Sequence, residues 1–496
     1  MKRRSVLLAV LIGMCQVLAG CQASEESEVR TESHTEDNTA DAVVNSPAIE
    51  GATQIILSDD EILVDGDVIS ADEKAAVYAA NDIIFYLEGQ GISYGEGTAK
   101  DEHFQKEADA HTVVHITEPG TYEISGTMSA GQILVDLGDD AKKDEEAVVT
   151  LALNNMNLSC NVAPAILFLN VYECGSDDAE EASMDIDLTG AGANIQLVDD
   201  SVNNVTGSYV AKIYESCELS EDGTEVVESE KLWKFDGAVY SRRSMNIYGD
   251  TGCLNIEAEN EGLDTELHLA IHGGYINIDS GNDGINVNED HVSVFMMNGG
   301  NLDIRVNGST GEGDGIDSNG WLVVNDGSIN ASACGTSQDS GIDSELGIHI
   351  NGGTVIASGN MLDRIEEGGQ THMTFMSREG LKGGEIYTIK DADGNMVTET
   401  VRENDCQMLL VSMEELEGDG NYTLWSGDTQ VAESSAGNMM GGPGGGRGQR
   451  PGDPMPEGQE PPEGFEPGQE PPGGFGRGQR PEGMEPPEKP EDRKQQ

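Results

Sequence analysis

Between residues 250 and 358 polar and apolar residues alternate with a period of two, in short runs that each begin at a glycine. The runs read GCLNI from Gly252, GYINI from Gly274, GNLDI from Gly300, GSINA from Gly327 and GTVIA from Gly353, their glycines 22, 26, 27 and 26 residues apart. A second phrase alternates with the first: NEGLDT (260–265), NDGINV (282–287), GDGIDS (313–318) and DSGIDS (339–344). Period-two alternation predicts half-buried strands. A repeat in the twenties, with two or three short strands per unit, predicts a solenoid whose units bury their apolar residues only against one another. The fold class expected is therefore all-β, a right-handed parallel β-helix. A sandwich is disfavoured because its hairpins need not repeat one phrase at one offset. Expected inward residues are Ile256, Ile276, Ile278, Leu302, Ile304, Ile329 and Val355, with Leu263, Ile285, Ile316 and Ile342 from the second phrase.

The same alternation continues upstream, where residues 54–64, 77–87, 117–126, 132–136, 148–157 and 165–171 read as strands. Three insertions dense in Asp and Glu, at 138–147, 172–183 and 214–231, read as solvent loops. From about residue 374 the pattern changes. A hairpin is expected around Asp393-Gly394 and another strand at 422–425. This gives a β-helix over 51–373 and a small β cap or module over 374–436.

Both ends differ in kind. Lys2, Arg3 and Arg4 precede an apolar run of about a dozen residues, which reads as an export signal over 1–20 rather than a spanning helix. The signal ends in Leu-Ala-Gly-Cys21, which resembles the lipobox of bacterial lipoproteins. That resemblance implies lipidation of Cys21 and a membrane-anchored position on the extracellular face. Residues 21–50 are rich in Ser, Glu, Thr and Asp and read as a disordered acidic tether. Residues 437–496, mostly Gly, Pro, Glu, Gln and Arg, read as a disordered tail.

Charge narrows the partners. The 496 residues carry 92 Asp plus Glu against 27 Lys plus Arg, a net charge of −65, which excludes nucleic acid as a partner. The six cysteines beyond residue 21 (Cys160, Cys174, Cys217, Cys253, Cys334, Cys406) have no ligand spacing, and Cys253 and Cys334 read as small core residues.

Stacking the second phrase places acids in two columns. Two residues past its glycine stand Asp264, Asn286, Asp317 and Asp343; just before it stand Glu261, Asp283, Asp314 and Ser340, with Asp339 alongside. At about 4.8 Å between neighbouring strands, like unit charges repel by about 3–4 kcal/mol per pair at an effective dielectric near 20. Carboxylates mixed with Asn oxygen suit a hard cation, so Ca²⁺ is the expected cofactor. Splaying of the side chains into screening solvent is the alternative.

These phrases, together with PGTYEISGTMSAGQILVD at 119–136, resemble a bacterial family of extracellular carbohydrate-binding proteins, often lipoproteins with Gly-rich tails. The resemblance implies a fold similar to pectate lyases, calcium binding, and association with acidic plant-wall polysaccharide or cellulose. Three classes follow. A monomeric binding protein would use aromatic platforms such as Trp321 and Tyr275 beside Arg305. A calcium-dependent polysaccharide lyase would need a base, for which Arg305 is the candidate, although a salt bridge suits it better. A structural or adhesive surface protein is the third.

Overall fold

The computed structural model describes residues 49–437. The expectations for the export signal, for Cys21, for nearly all of the tether and for all of the tail beyond 437 concern positions outside these residues. Among the described residues the chain is almost wholly β. Its regular helix is one four-residue turn, Gln105–Ala108, with a short 3₁₀ segment at Asp139–Lys143.

Three parallel runs of strands carry the repeats. In the first, Val202–Gly207, Cys253–Ala258, Tyr275–Ser280, Asn301–Val306, Ser328–Ser332 and Thr354–Gly359 pair in succession, so Leu254, Ile276, Leu302, Ile329 and Val355 fall in one register line. The second joins Ala193–Leu197, Met245–Tyr248, Leu269–Ile271, Val294–Met297, Trp321–Val324 and Gly347–Ile350. The strand Val149–Ser159 pairs with the starts of both runs, which places them in one 19-stranded mixed sheet. The third is the nine-stranded sheet of the second phrase, ending Ile166–Asn170, Gly237–Ser241, Glu261–Thr265, Ile285–Val287, Ile316–Ser318 and Asp343–Ser344.

Parallel pairing of every second residue aligns like side chains and buries them together. All eleven residues expected to face inward are buried, from Ile276, Ile304 and Ile316 at 0 % exposure to Ile278 at 4 %. Cys253 and Cys334 are buried as well. Glycines let the strands turn and approach. At Gly274, Gly300, Gly327 and Gly353 φ is positive, between 78° and 91°, a region that glycine enters without a Cβ penalty.

Two expectations from acid density need correction. Residues 214–231 are a solvent loop only at their tip. The chain there forms an antiparallel hairpin of Val210–Leu219 and Val226–Phe235, because alternating β-formers override the acidic composition. Residues 138–147 contain the 3₁₀ segment rather than a plain loop. The run at 77–87 is strand only over Val77–Ala80. Beyond 371 pairing becomes antiparallel. His372–Leu381 and Cys406–Ser412 pair with each other, and Cys406–Ser412 also pairs with Thr354–Gly359 at the end of the first run. Ile386–Lys390, Met396–Val401, Asn421–Ser426 and Thr429–Ser435 form a four-stranded sheet around Asp393-Gly394. Phe375, Tyr387, Leu409 and Leu424 lie in a second apolar cluster.

Candidate metal centre

The third sheet sets the acidic columns in place. Asp264, Asn286, Asp317 and Asp343 are direct register partners on four successive strands. The preceding positions are linked through the main chain. Gly262 N–H donates to the Asp283 carbonyl, Gly284 N–H to that of Asp314, and Gly315 N–H to that of Ser340. The side chains do not splay into water: Glu261 is 4 % exposed and Asp264 1 %, while Asp283, Asp314, Asp317, Asp339 and Asp343 are half-buried.

The columns divide into two chemical settings. Asp283, Asp314 and Asp339 accept main-chain N–H groups from a neighbouring segment: Asp283 Oδ1 from Asp314 (2.6 Å), Asp314 Oδ1 from Ser340 (2.5 Å) and Asp339 Oδ2 from Gly313 (2.6 Å). Even so, burial and then the charge of Asp283 push Asp314 up to about 9. Burial raises Asp283 to about 7 against the Asp314 N–H bond, with Asp317 and Asp339 adding to the rise. Asp343 also reaches about 7, from burial and then Asp363. Asp317 is raised by burial and then by Glu345.

The second setting is a cluster. Asp236, Glu261 and Asp264 bring one carboxylate oxygen each to within 4.8 Å of one another. Asp264 Oδ1 accepts from Asn288 Nδ2 (2.5 Å), its Oδ2 from the Asp236 N–H (3.3 Å), and Glu261 Oε1 accepts from Asn286 Nδ2 (3.2 Å). Two oxygens remain without a partner although buried, Glu261 Oε2 and Asn286 Oδ1. A buried unpaired acceptor costs about 1–3 kcal/mol, more for a charged one. Burial, then the charges of Asp264 and Asp236, push the Glu261 carboxyl well above its usual range; burial, then Asp236 and Glu266, do the same to Asp264. Three carboxylates with two spare buried oxygens have the chemistry that a hard cation would take.

The neighbourhood of this cluster comes from the hairpin. Lys234 Nζ lies 2.5 Å from Asp236 Oδ2, and Lys231 Nζ 2.8 Å from Glu266 Oε1, which also accepts from the Tyr240 hydroxyl (2.5 Å). Phe235 packs against Tyr240 with ring centroids 5.0 Å apart, rooting this end of the hairpin in the core. Sequence reasoning missed Asp236. Its Asp236-Gly237 pair imitates Asp283-Gly284 but is slipped by one, since Gly237 pairs with Glu261 rather than with Gly262.

The other expected residues lie apart. Tyr275 is 47 % exposed on the first run. Arg305 stands on the adjacent strand of that run, its Nη1 3.0 Å from Asp279 Oδ2, the salt bridge that suited it better than a base. Trp321 is half-buried on the second run, where it pairs with Val294 and Gly347. Tyr275 and Arg305 thus share an outward face that Trp321 does not.

A carbohydrate-binding domain-containing protein of Acetivibrio thermocellus is 30% identical over 202 residues, 39% of this chain; the chain spans 57% of that relative's length. A solved structure of a polysaccharide lyase-like protein from C. thermocellum, a gadolinium derivative, is 20% identical with a TM-score of 0.36, over 64% of this chain and 92% of that one. Residues 110–437 match the family described as carbohydrate-binding domain-containing protein, so the chain belongs to that family.

Proposed function

We propose that this chain is a cell-surface lipoprotein, anchored through Cys21, that binds polysaccharide without catalysis through a calcium-loaded right-handed parallel β-helix. The observation that carries the calcium reading is the pair of buried, unpartnered oxygens, Glu261 Oε2 and Asn286 Oδ1, beside three clustered carboxylates. Asp236, Glu261, Asp264 and Asn286 would hold the ion, which would supply the positive charge that the buried Glu261 and Asp264 lack. Further along the columns, Asp283, Asp314, Asp317, Asp339 and Asp343 form the acidic surface from which additional calcium would bridge to uronate carboxylates, letting an acidic protein hold an acidic glycan.

The face of the first run is the proposed glycan platform. Tyr275, Asn277 and Asp279 alternate outward on one strand, and Asn301, Asp303 and Arg305 on the next. Their main-chain spacing is fixed by the ladder, so the polar groups are presented in a rigid row. Asn277 Nδ2 donates to Asn255 Oδ1 (2.8 Å), and Asn255 Nδ2 to Asn204 Oδ1 (2.9 Å), which holds the amides in line. The Arg305–Asp279 pair supports binding over a lyase that would use Arg305 as its base. Sedimentation on cellulose and on calcium polygalacturonate, with and without chelator, tests the reading. Retention that chelator abolishes is expected. Failure to sediment with either glycan under both conditions would remove it.

A further inference from the structure

Lys234 reaches the carboxylate cluster from the end of the hairpin's second strand, two residues before Asp236. Its Nζ sits 2.5 Å from Asp236 Oδ2, and the charges of Glu261 and Asp264 act on it as well as that of Asp236. The lysine side chain keeps 44 % of its surface in solvent while Asp236 keeps 13 %. The ammonium therefore enters the site from the wet side on a flexible four-carbon stem, held by its pair with Asp236. Water scarcely touches the other two acids of the cluster, Glu261 and Asp264.

We infer that Lys234 is the resident cation of this site and lowers its affinity for calcium by competing for the Asp236 carboxylate. The inference rests on the calcium reading above. A divalent ion drawn to the three carboxylates draws on the Asp236 carboxylate that Nζ now neutralises, and it repels the ammonium with twice the force of a second monovalent charge. Entry of the ion releases Lys234 to solvent, where its half-exposed stem already lies. No covalent change is involved: one tethered monovalent cation leaves as one divalent cation binds. Glu266 Oε1 is already held by Lys231 and Tyr240.

The consequence is a site tuned to calcium-rich surroundings. The apparent dissociation constant is the intrinsic one divided by the fraction of time the site is free, so a lysine in place about nine-tenths of the time weakens calcium about tenfold. The geometry also explains why a cluster of buried acids can fold before metal arrives, since one of its charges is neutralised from within the chain.

Calorimetric titration of calcium into the full chain and into Lys234→Met and Lys234→Arg variants is the test, with melting in chelator run alongside. The dissociation constant is expected to fall about tenfold in Lys234→Met and to stay near the parent value in Lys234→Arg, which keeps the charge. In chelator Lys234→Met should melt below the parent, and calcium should restore it. Equal or weaker calcium binding by a Lys234→Met protein that melts cooperatively would overturn the inference while leaving the calcium reading intact. Absence of calcium binding in the parent and in Lys234→Met together would overturn both. Binding that appears only in Lys234→Met would support it.

Discussion

Asp264 and Asn286 are register partners on adjacent parallel strands, yet their side chains turn to different neighbours. Asp264 takes the amide of Asn288 at 2.5 Å, and Asn286 gives its own amide to Glu261 at 3.2 Å. The result leaves Asn286 Oδ1 buried and without a partner, a spare acceptor that a cation would reward. An amide serving only as a neutral spacer in the column would have no reason to keep that oxygen unpaired.

Glu261→Gln removes one charge from the cluster while preserving shape. In chelator it should melt above the parent, by about 1 °C for each kcal/mol gained in a body of this size. Added calcium should then raise its melting temperature much less than it raises the parent's. Thermal denaturation in matched buffers with and without calcium checks both halves.

His268 offers a pH prediction independent of the metal. It is 1 % exposed, its Nδ1 accepts the Val294 N–H at 3.0 Å, and burial pushes the imidazole down to about 4. The free imidazole titrates near 6.5, so the unfolded chain takes up the proton first. The stability that neutral His268 contributes is fully present above about 6.5 and is lost as pH falls through about 4. NMR titration of the ring should give a midpoint near 4; a midpoint near 6.5 would contradict the buried placement.

Close stacking at Gly320 should tolerate no side chain. A Cβ there would lie 1.9 Å from the Ser293 carbonyl oxygen, so strands of neighbouring repeats must part. Gly320→Ala is expected to cost about 1–3 kcal/mol or more. Gly91→Ala, where nothing lies within 4 Å, should be close to neutral. Chemical denaturation of the two variants makes the comparison.

Ile304 lies at 0 % exposure between Ile278 and Ala331 on adjacent strands. Truncation to alanine leaves a cavity among rigid ladders, with an expected loss of about 2–5 kcal/mol. Each repeat is buried only by its neighbours, so the loss should also appear as faster amide exchange in the strands on either side.

The inward residues were legible because register and burial obey one rule. A residue at a fixed offset from a repeated glycine must meet its equivalent, and an apolar one must be buried. The Asp264–Asn286–Asp317–Asp343 line was legible for the same reason. Asp236 was hidden because a one-residue slip moves Asp236-Gly237 out of phase with the later phrases. Lys234 was hidden because it reaches the site through a hairpin that composition disguises as a loop. Between Val210 and Phe235 the acids mark only which side faces water, while Val210, Ile213 and Phe235 still bury themselves and hold the strands. Arg402, fully buried with Nε and Nη1 unpartnered, carries no sequence signal, because its place depends on Asn330 and Thr400.

The central claim is that calcium held at the acidic columns makes this β-rich surface a polysaccharide binder. Sedimentation of the full chain on calcium polygalacturonate, repeated with chelator and with Asp264→Asn, tests it most directly. The expected result is retention in calcium, loss in chelator, and weakened retention of the Asp264→Asn protein. Retention unchanged by chelator and by the substitution would contradict the account.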